Sequence, residues 1–246
     1  LFFRLGDFYE LFFDDAVRGA QLLGLTLTSR NKQDPDPVPM CGLPWHQRDS
    51  YVGRLLRLGH KVAICDHLED PEQAKGIVQR GVSEVLTPGS VTGEGFLDPA
   101  ANNFLASVWP GAALGVCLAD ASTGEVRMLS TSWDEAADAL ARLSVSEWVF
   151  PDSGSLESGP ADRLLHVLKG LDGARSPVPV FRFGDVELLE RRWGAAVTDA
   201  FADVPECLAA AAAAVDYLDR VQGGAALQLR APQRWIDDRV LRYDAA

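Results

Sequence analysis

Phe3 and Leu5 flank Arg4, an alternation that reads as a short strand, and Phe13, Ala16, Val17 and Ala20 then recur at the i, i+3, i+4, i+7 spacing of a helix face. The passage from strand to helix is expected near Gly6. A second strand is expected around Leu25 to Thr28, followed by a turn-rich segment from Asn31 to Pro39 whose Asp-Pro pairs mark a loop. Tyr51, Val52, Leu55 and Leu58 predict another helix, which Gly59 ends before a strand from Val62 to Cys65. This alternation is that of a small mixed α/β domain.

From Thr87 to Pro99 the chain turns to Thr, Pro, Gly, Ser and acids, as a surface connection would, and a domain boundary is expected there. Strands are expected at Phe104 to Trp109, Leu114 to Ala119 and Val126 to Ser130, the last two joined by a turn at Ser122 to Gly124. A helix from Trp133 to Leu143 opens on a capping box of Ser132 and Glu135. A strand from Trp148 to Phe150, a helix from Ala161 to Lys169, a strand from Val178 to Phe183 and an alanine-rich helix ending near Arg220 complete a second α/β domain. The pattern implies domains at 1–88 and 102–223, a linker at 89–101, and the opening of a third unit at 224–246.

Composition narrows the function classes. The chain has 246 residues and is 47% hydrophobic, and its longest apolar run, Cys207 to Val215, is far short of the roughly 20 residues that span a bilayer. A soluble protein without membrane partners is expected. It opens on Leu1 rather than Met, as a fragment lacking the start of its first domain would. Cys41, Cys65, Cys117 and Cys207 lack metal-ligand spacing and read as reduced, buried thiols. A net charge of −12 argues against indiscriminate binding to nucleic acid. Residues 1–90 carry 10 Lys+Arg against 12 Asp+Glu, whereas residues 91–246 carry 13 against 23. Within the first part, Thr28 to Lys61 has six basic residues and three acidic ones, so any DNA-facing surface is expected there.

The segment Gly6-Asp7-Phe8-Tyr9-Glu10-Leu11-Phe12 sets an aromatic and a carboxylate two residues apart. In a helix they would point about 200° apart, while in extended chain they share a face. Alone, such a Phe is more often core and such a Glu solvated. The longer stretch LFFRLGDFYELFFDDAVRGAQLL, with VPMCGLPWH, KVAICDHLEDP and VLTPG, strongly resembles the N-terminal domain of bacterial MutS mismatch-repair proteins, whose F-x-E motif falls on Phe8 and Glu10. Beyond residue 90 the resemblance is one of element order, to the ribonuclease-H-like connector domain of that family.

The resemblance implies recognition of mispaired or unpaired bases: Phe8 enters the minor groove and stacks on one base of kinked DNA while Glu10 hydrogen-bonds that base. A mismatch has already lost pairing and stacking energy, so opening it costs less than opening an intact step. Phosphate repulsion would favour the protonated, donating form of Glu10. Leu5 and Met40 are expected to add apolar contacts, Arg30, Lys32 and Arg48 phosphate contacts, and Gly42, Pro44 and His46 to shape the loop. The resemblance further implies MutL as a partner of the connector, a homodimer, and a cytoplasmic, nucleoid-associated bacterial protein. No G-x-x-x-x-G-K-[ST] occurs, so ATP and magnesium would belong to a segment outside this chain, which is expected to have no catalytic residue, no metal and no cofactor. The rival reading is a metal-dependent nuclease or phosphate-handling enzyme using Asp120, which lacks a convergent set of carboxylates, since Glu125, Asp134 and Glu135 fall on a turn and a helix start and read as solvated.

Overall fold

In the computed structural model, which describes residues 1–31, 33, 35–69, 78–152, 154, 158–223 and 227–235, the chain opens on a β-hairpin. β1 (Phe2–Leu5) and β2 (Phe8–Phe12) pair antiparallel across Gly6-Asp7. Gly6 takes a φ of +56° at the first turn position, where a glycine removes the steric cost of a left-handed backbone. The passage to helix thus comes seven residues later than expected, at Phe13, whose own φ is +53°. That conformation is costly for a bulky residue and lets α1 (Phe13–Leu23) start with no loop after the strand.

The first unit continues through β3 (Thr28–Arg30), β4 (Val38–Pro44), α2 (Arg48–Arg57), β5 (Val62–His67) and β6 (Arg80–Leu86). Its six strands form one mixed sheet in the order β3-β4-β2-β1-β5-β6. Alternation sends Tyr9 and Leu11 of β2 and Cys41 and Leu43 of β4 to one face, where they bury against Ala16, Ala20 and Leu23 of α1 and Val52, Leu55 and Leu56 of α2. Both helices lie on that face. β6 escaped the sequence reading because Gly81 and Ser83 blunt its alternation. The segment expected as a surface connection is also corrected in part: Thr87 to Val91 is buried, with the Thr87 hydroxyl donating to Ser90 Oγ at 2.9 Å.

The second unit is built on β7 (Phe104–Pro110), β8 (Leu114–Asp120) and β9 (Glu125–Thr131), an antiparallel meander, with β10 (Val145–Pro151) parallel to β7 and β11 (Ala174–Val178) parallel to β10. This is the layout expected of a ribonuclease-H-like domain. α3 (Ala136–Ala141) and α4 (Ser158–Lys169) supply Leu140, Leu164 and Leu168 to a core with Trp148. α5 (Val186–Trp193), α6 (Ala195–Ala200) and α7 (Pro205–Val221) follow. α7 lies directly on β8: a Cβ added at Gly115 would fall 2.3 Å from the backbone carbonyl of Glu206. The strand expected at Val178 to Phe183 lies earlier, at β11, and beyond Pro179 the chain coils into a 3-10 turn over Val180–Phe183. The capping box at Ser132 forms only in part: the Glu135 N–H donates to Ser132 Oγ at 3.3 Å, while the Glu135 carboxylate accepts from the Ser132 hydroxyl at 3.1 Å, and the helix itself starts later, at Ala136, and is shorter than expected. Residues 227–235, expected to open a third unit, instead carry β12 (Gln233–Arg234), which pairs parallel with β9; the rest of 224–246 lies outside the described residues.

Candidate nucleic-acid interface

Among the described residues α1 and α2 lie on one face of the first unit's sheet, and register decides what the other face carries. Leu5 pairs with Phe8, and Phe8 with Pro44; Phe3 pairs with Glu10, and Glu10 with Gly42; Phe12 pairs with Met40, and Met40 with Thr28. Cross-strand partners point to the same side of a sheet. Leu5, Phe8, Glu10, Met40, Gly42 and Pro44 therefore share the face away from the helices, and Arg30, two residues beyond Thr28 on β3, joins them. Phe8 stands at the hairpin end with 48% of its surface exposed, while its neighbour Tyr9, pointing the other way, is 3% exposed. The extended backbone expected for Phe8 and Glu10 is what β2 provides.

Gly42 leaves room between the two. A Cβ there would lie 3.3 Å from the Tyr9 carbonyl oxygen, 3.5 Å from Glu10 Cγ and 3.9 Å from Phe8 Cδ1. Gly42 and Pro44 thus belong to strand β4 rather than to a loop as expected. His46 is exposed in the 3-10 turn Trp45–Gln47, its ring edge-on to Trp45. Arg48 begins α2 and is engaged: it bonds Asp49 at 2.7 Å and Glu84 at 3.2 Å. Lys32 lies outside the described residues.

The open face also holds groups the sequence reading missed. Phe3 and Phe12 lie on it by register, and each carries an arginine, with the guanidinium of Arg80 5.7 Å from the Phe3 ring centre and that of Arg30 6.0 Å from Phe12. Arg80 also donates to the Arg4 carbonyl at 2.9 Å. Val82, paired with Cys65, adds an apolar side chain that is 60% exposed. Phe12 could have been found from the alternation Phe8, Glu10, Phe12; Arg80 and Val82 could not, because β6 was not expected. The face combines flat aromatic surface with two stacked cations and one carboxylate, a composition suited to bases and phosphates together.

Asp120, the centre of the rival reading, is buried at the end of β8. Its Oδ1 accepts from the Ser122 N–H at 2.9 Å, the Ser122 hydroxyl at 2.6 Å and the Thr123 N–H at 3.3 Å, so it closes the β8–β9 turn. Glu147 on β10, also buried, accepts from Ser176 and, at 2.6 Å, from Tyr217. Among the described residues no group of three His, Cys, Asp or Glu side chains could hold a metal ion. All four cysteines are buried and free; burial raises the Cys207 thiol to about 11. No helix among the described residues is long and apolar enough to cross a membrane.

Comparison with known proteins identifies both units. Residues 1–95 match the family model for MutS domain I, and residues 103–231 match that for MutS domain II. The DNA mismatch repair protein MutS of Geobacillus kaustophilus is 49% identical over 158 residues, covering 63% of this chain and 18% of that protein. That of Azorhizobium caulinodans is 36% identical over 261 residues, covering 100% of this chain and 28% of the relative. That of Anaeromyxobacter dehalogenans is 40% identical over 250 residues, with the same two coverages. The chain thus spans under a third of the length of these relatives. With both of its units matched in order and its full length aligned, the chain belongs to the MutS family.

Proposed function

We propose that the open face of the first sheet reads mispaired or unpaired bases in duplex DNA. Phe8 enters the minor groove and stacks on one base, and Glu10 hydrogen-bonds that base. The reading rests chiefly on one observation: Phe8 is half-exposed at a hairpin tip on the sheet face away from α1 and α2, which also carries Glu10, Leu5 and Met40. Stacking accepts any base, so selectivity comes from how cheaply the DNA step opens. Arg30 and Arg80 supply phosphate contacts beside the wedge. The second unit transmits the bound state and docks MutL, a role its excess of acidic residues suits; ATP hydrolysis and homodimer formation belong to the longer protein, in the bacterial cytoplasm at the nucleoid. The nuclease reading is not favoured, because Asp120 is occupied in closing its own turn.

The test is binding of a G·T or single-base-loop duplex against its paired control, at fixed low salt, for this chain and Phe8→Ala. Loss of one stacking contact worth about 1–3 kcal/mol predicts a preference weakened about 5- to 150-fold. Equal preference in parent and variant, with the fold intact by circular dichroism, refutes the wedge.

A further inference from the structure

The turn that presents Phe8 is gripped from the helix-covered side by two residues with no part in the reading above. Arg4 pairs with Tyr9 across the hairpin and so points away from the open face. Its Nε–H donates to the Gly6 carbonyl at 2.6 Å, and its guanidinium lies between two rings, 5.3 Å from the centre of Tyr9 and 4.8 Å from that of Trp45. The Trp45 backbone N–H donates to the Asp7 carbonyl at 3.0 Å. Both carbonyls of the two-residue turn are therefore held. Because peptide units are rigid planes, holding these carbonyls fixes the last two planes before Phe8, the second of which contains the Phe8 N–H. Tyr9 is anchored in turn, its hydroxyl donating to Asp66 of β5 at 2.7 Å.

We infer that Arg4 and Trp45 are positioning residues that aim the Phe8 ring, the arginine by clamping the turn and the tryptophan by holding the arginine. The inference rests on the wedge reading of Phe8. Arginine is the side chain for this task, because one planar group can both stack between rings and donate in its own plane; an ammonium does not offer that combination. Trp45 is 49% exposed, so its ring adds little to the core and is available as a lid on Arg4.

The experiment compares Arg4→Gln, Trp45→Ala and Trp45→Phe with the parent, using the full chain, mismatched and paired duplexes, and a range of salt. Arg4→Gln and Trp45→Ala are each expected to lower the mismatch preference about five-fold, while Trp45→Phe, which keeps an aromatic lid, restores most of it. The salt dependence of paired-duplex binding stays the same, whereas a lost phosphate contact would reduce its slope by about one. On a Phe8→Ala background Arg4→Gln has no further effect, since it acts only through that ring. A full preference in both Arg4→Gln and Trp45→Ala, a flatter salt slope, or an additive loss in the double variant overturns the inference. If Phe8→Ala itself keeps the preference, the wedge reading has failed, and that result is separate from the other three.

Discussion

Replacing Tyr9 with Phe keeps a ring in the core and deletes only the hydroxyl that donates to Asp66 Oδ2 at 2.7 Å. Burial first, and then the bond to Asp66, raises the Tyr9 hydroxyl above its ordinary value. Burial works against the Asp66 charge, yet the Tyr9 hydroxyl and the His67 N–H together hold that carboxyl below the usual range. Both shifts favour the same pair, neutral tyrosine with charged aspartate. A hydrogen bond to a charged group contributes about 1.5–3 kcal/mol. Asp66 is only partly buried and keeps the His67 N–H at 3.0 Å in the variant, so the loss falls at the lower end, about 1.5 kcal/mol. The Asp66 contribution is present above its unfolded value of about 3.9 and is lost as pH falls through the lower folded value. The Tyr9 contribution is present below about pH 10 and is lost as pH rises through the raised folded value. Urea unfolding of parent and Tyr9→Phe should then differ by a constant amount between about pH 5 and 9, narrowing on either side. A gap below about 0.5 kcal/mol at pH 7, or one as large at pH 3 as at pH 7, refutes this account of the pair.

Glu10→Gln keeps a hydrogen-bonding side chain but removes the charge that opposes phosphate, and is expected to tighten binding to fully paired duplex about five-fold, read by fluorescence anisotropy at fixed salt; unchanged affinity counts against the role given to Glu10. Gly115→Ala would set a Cβ 2.3 Å from the Glu206 carbonyl and 2.7 Å from the Cys207 nitrogen, both backbone atoms that cannot swing aside. Forcing α7 outward is expected to cost about 3 kcal/mol, seen as a lower thermal midpoint, and a loss under about 1 kcal/mol would show that the helix has room to spare.

Long apolar periodicities were legible in the sequence. The strands β7 and β8 read clearly because their near-continuous apolar runs match strands buried on both faces, and α7 read clearly because its alanines suit close approach to a sheet. The edge strands did not: β6 and β11 have one neighbour each, carry Gly81 and Pro177, and need no apolar alternation. The hairpin at Gly6 was blurred by six aromatics within the first 13 residues, which satisfy strand and helix patterns alike. At the site, alternation sufficed to bring Phe8 and Glu10 together. Arg80 and the Arg4–Trp45 brace depend on long-range register and on which ring a guanidinium meets, and local pattern holds neither.

Because Phe8 and Glu10 reach one face through the two-residue period of β2, a single residue inserted between Glu10 and Leu11 would put the two parts of the strand out of phase, so that either Phe8 and Glu10 turn toward the core or Leu11 turns out of it. That short strand therefore leaves no room for inherited changes in length, and must be copied to the residue.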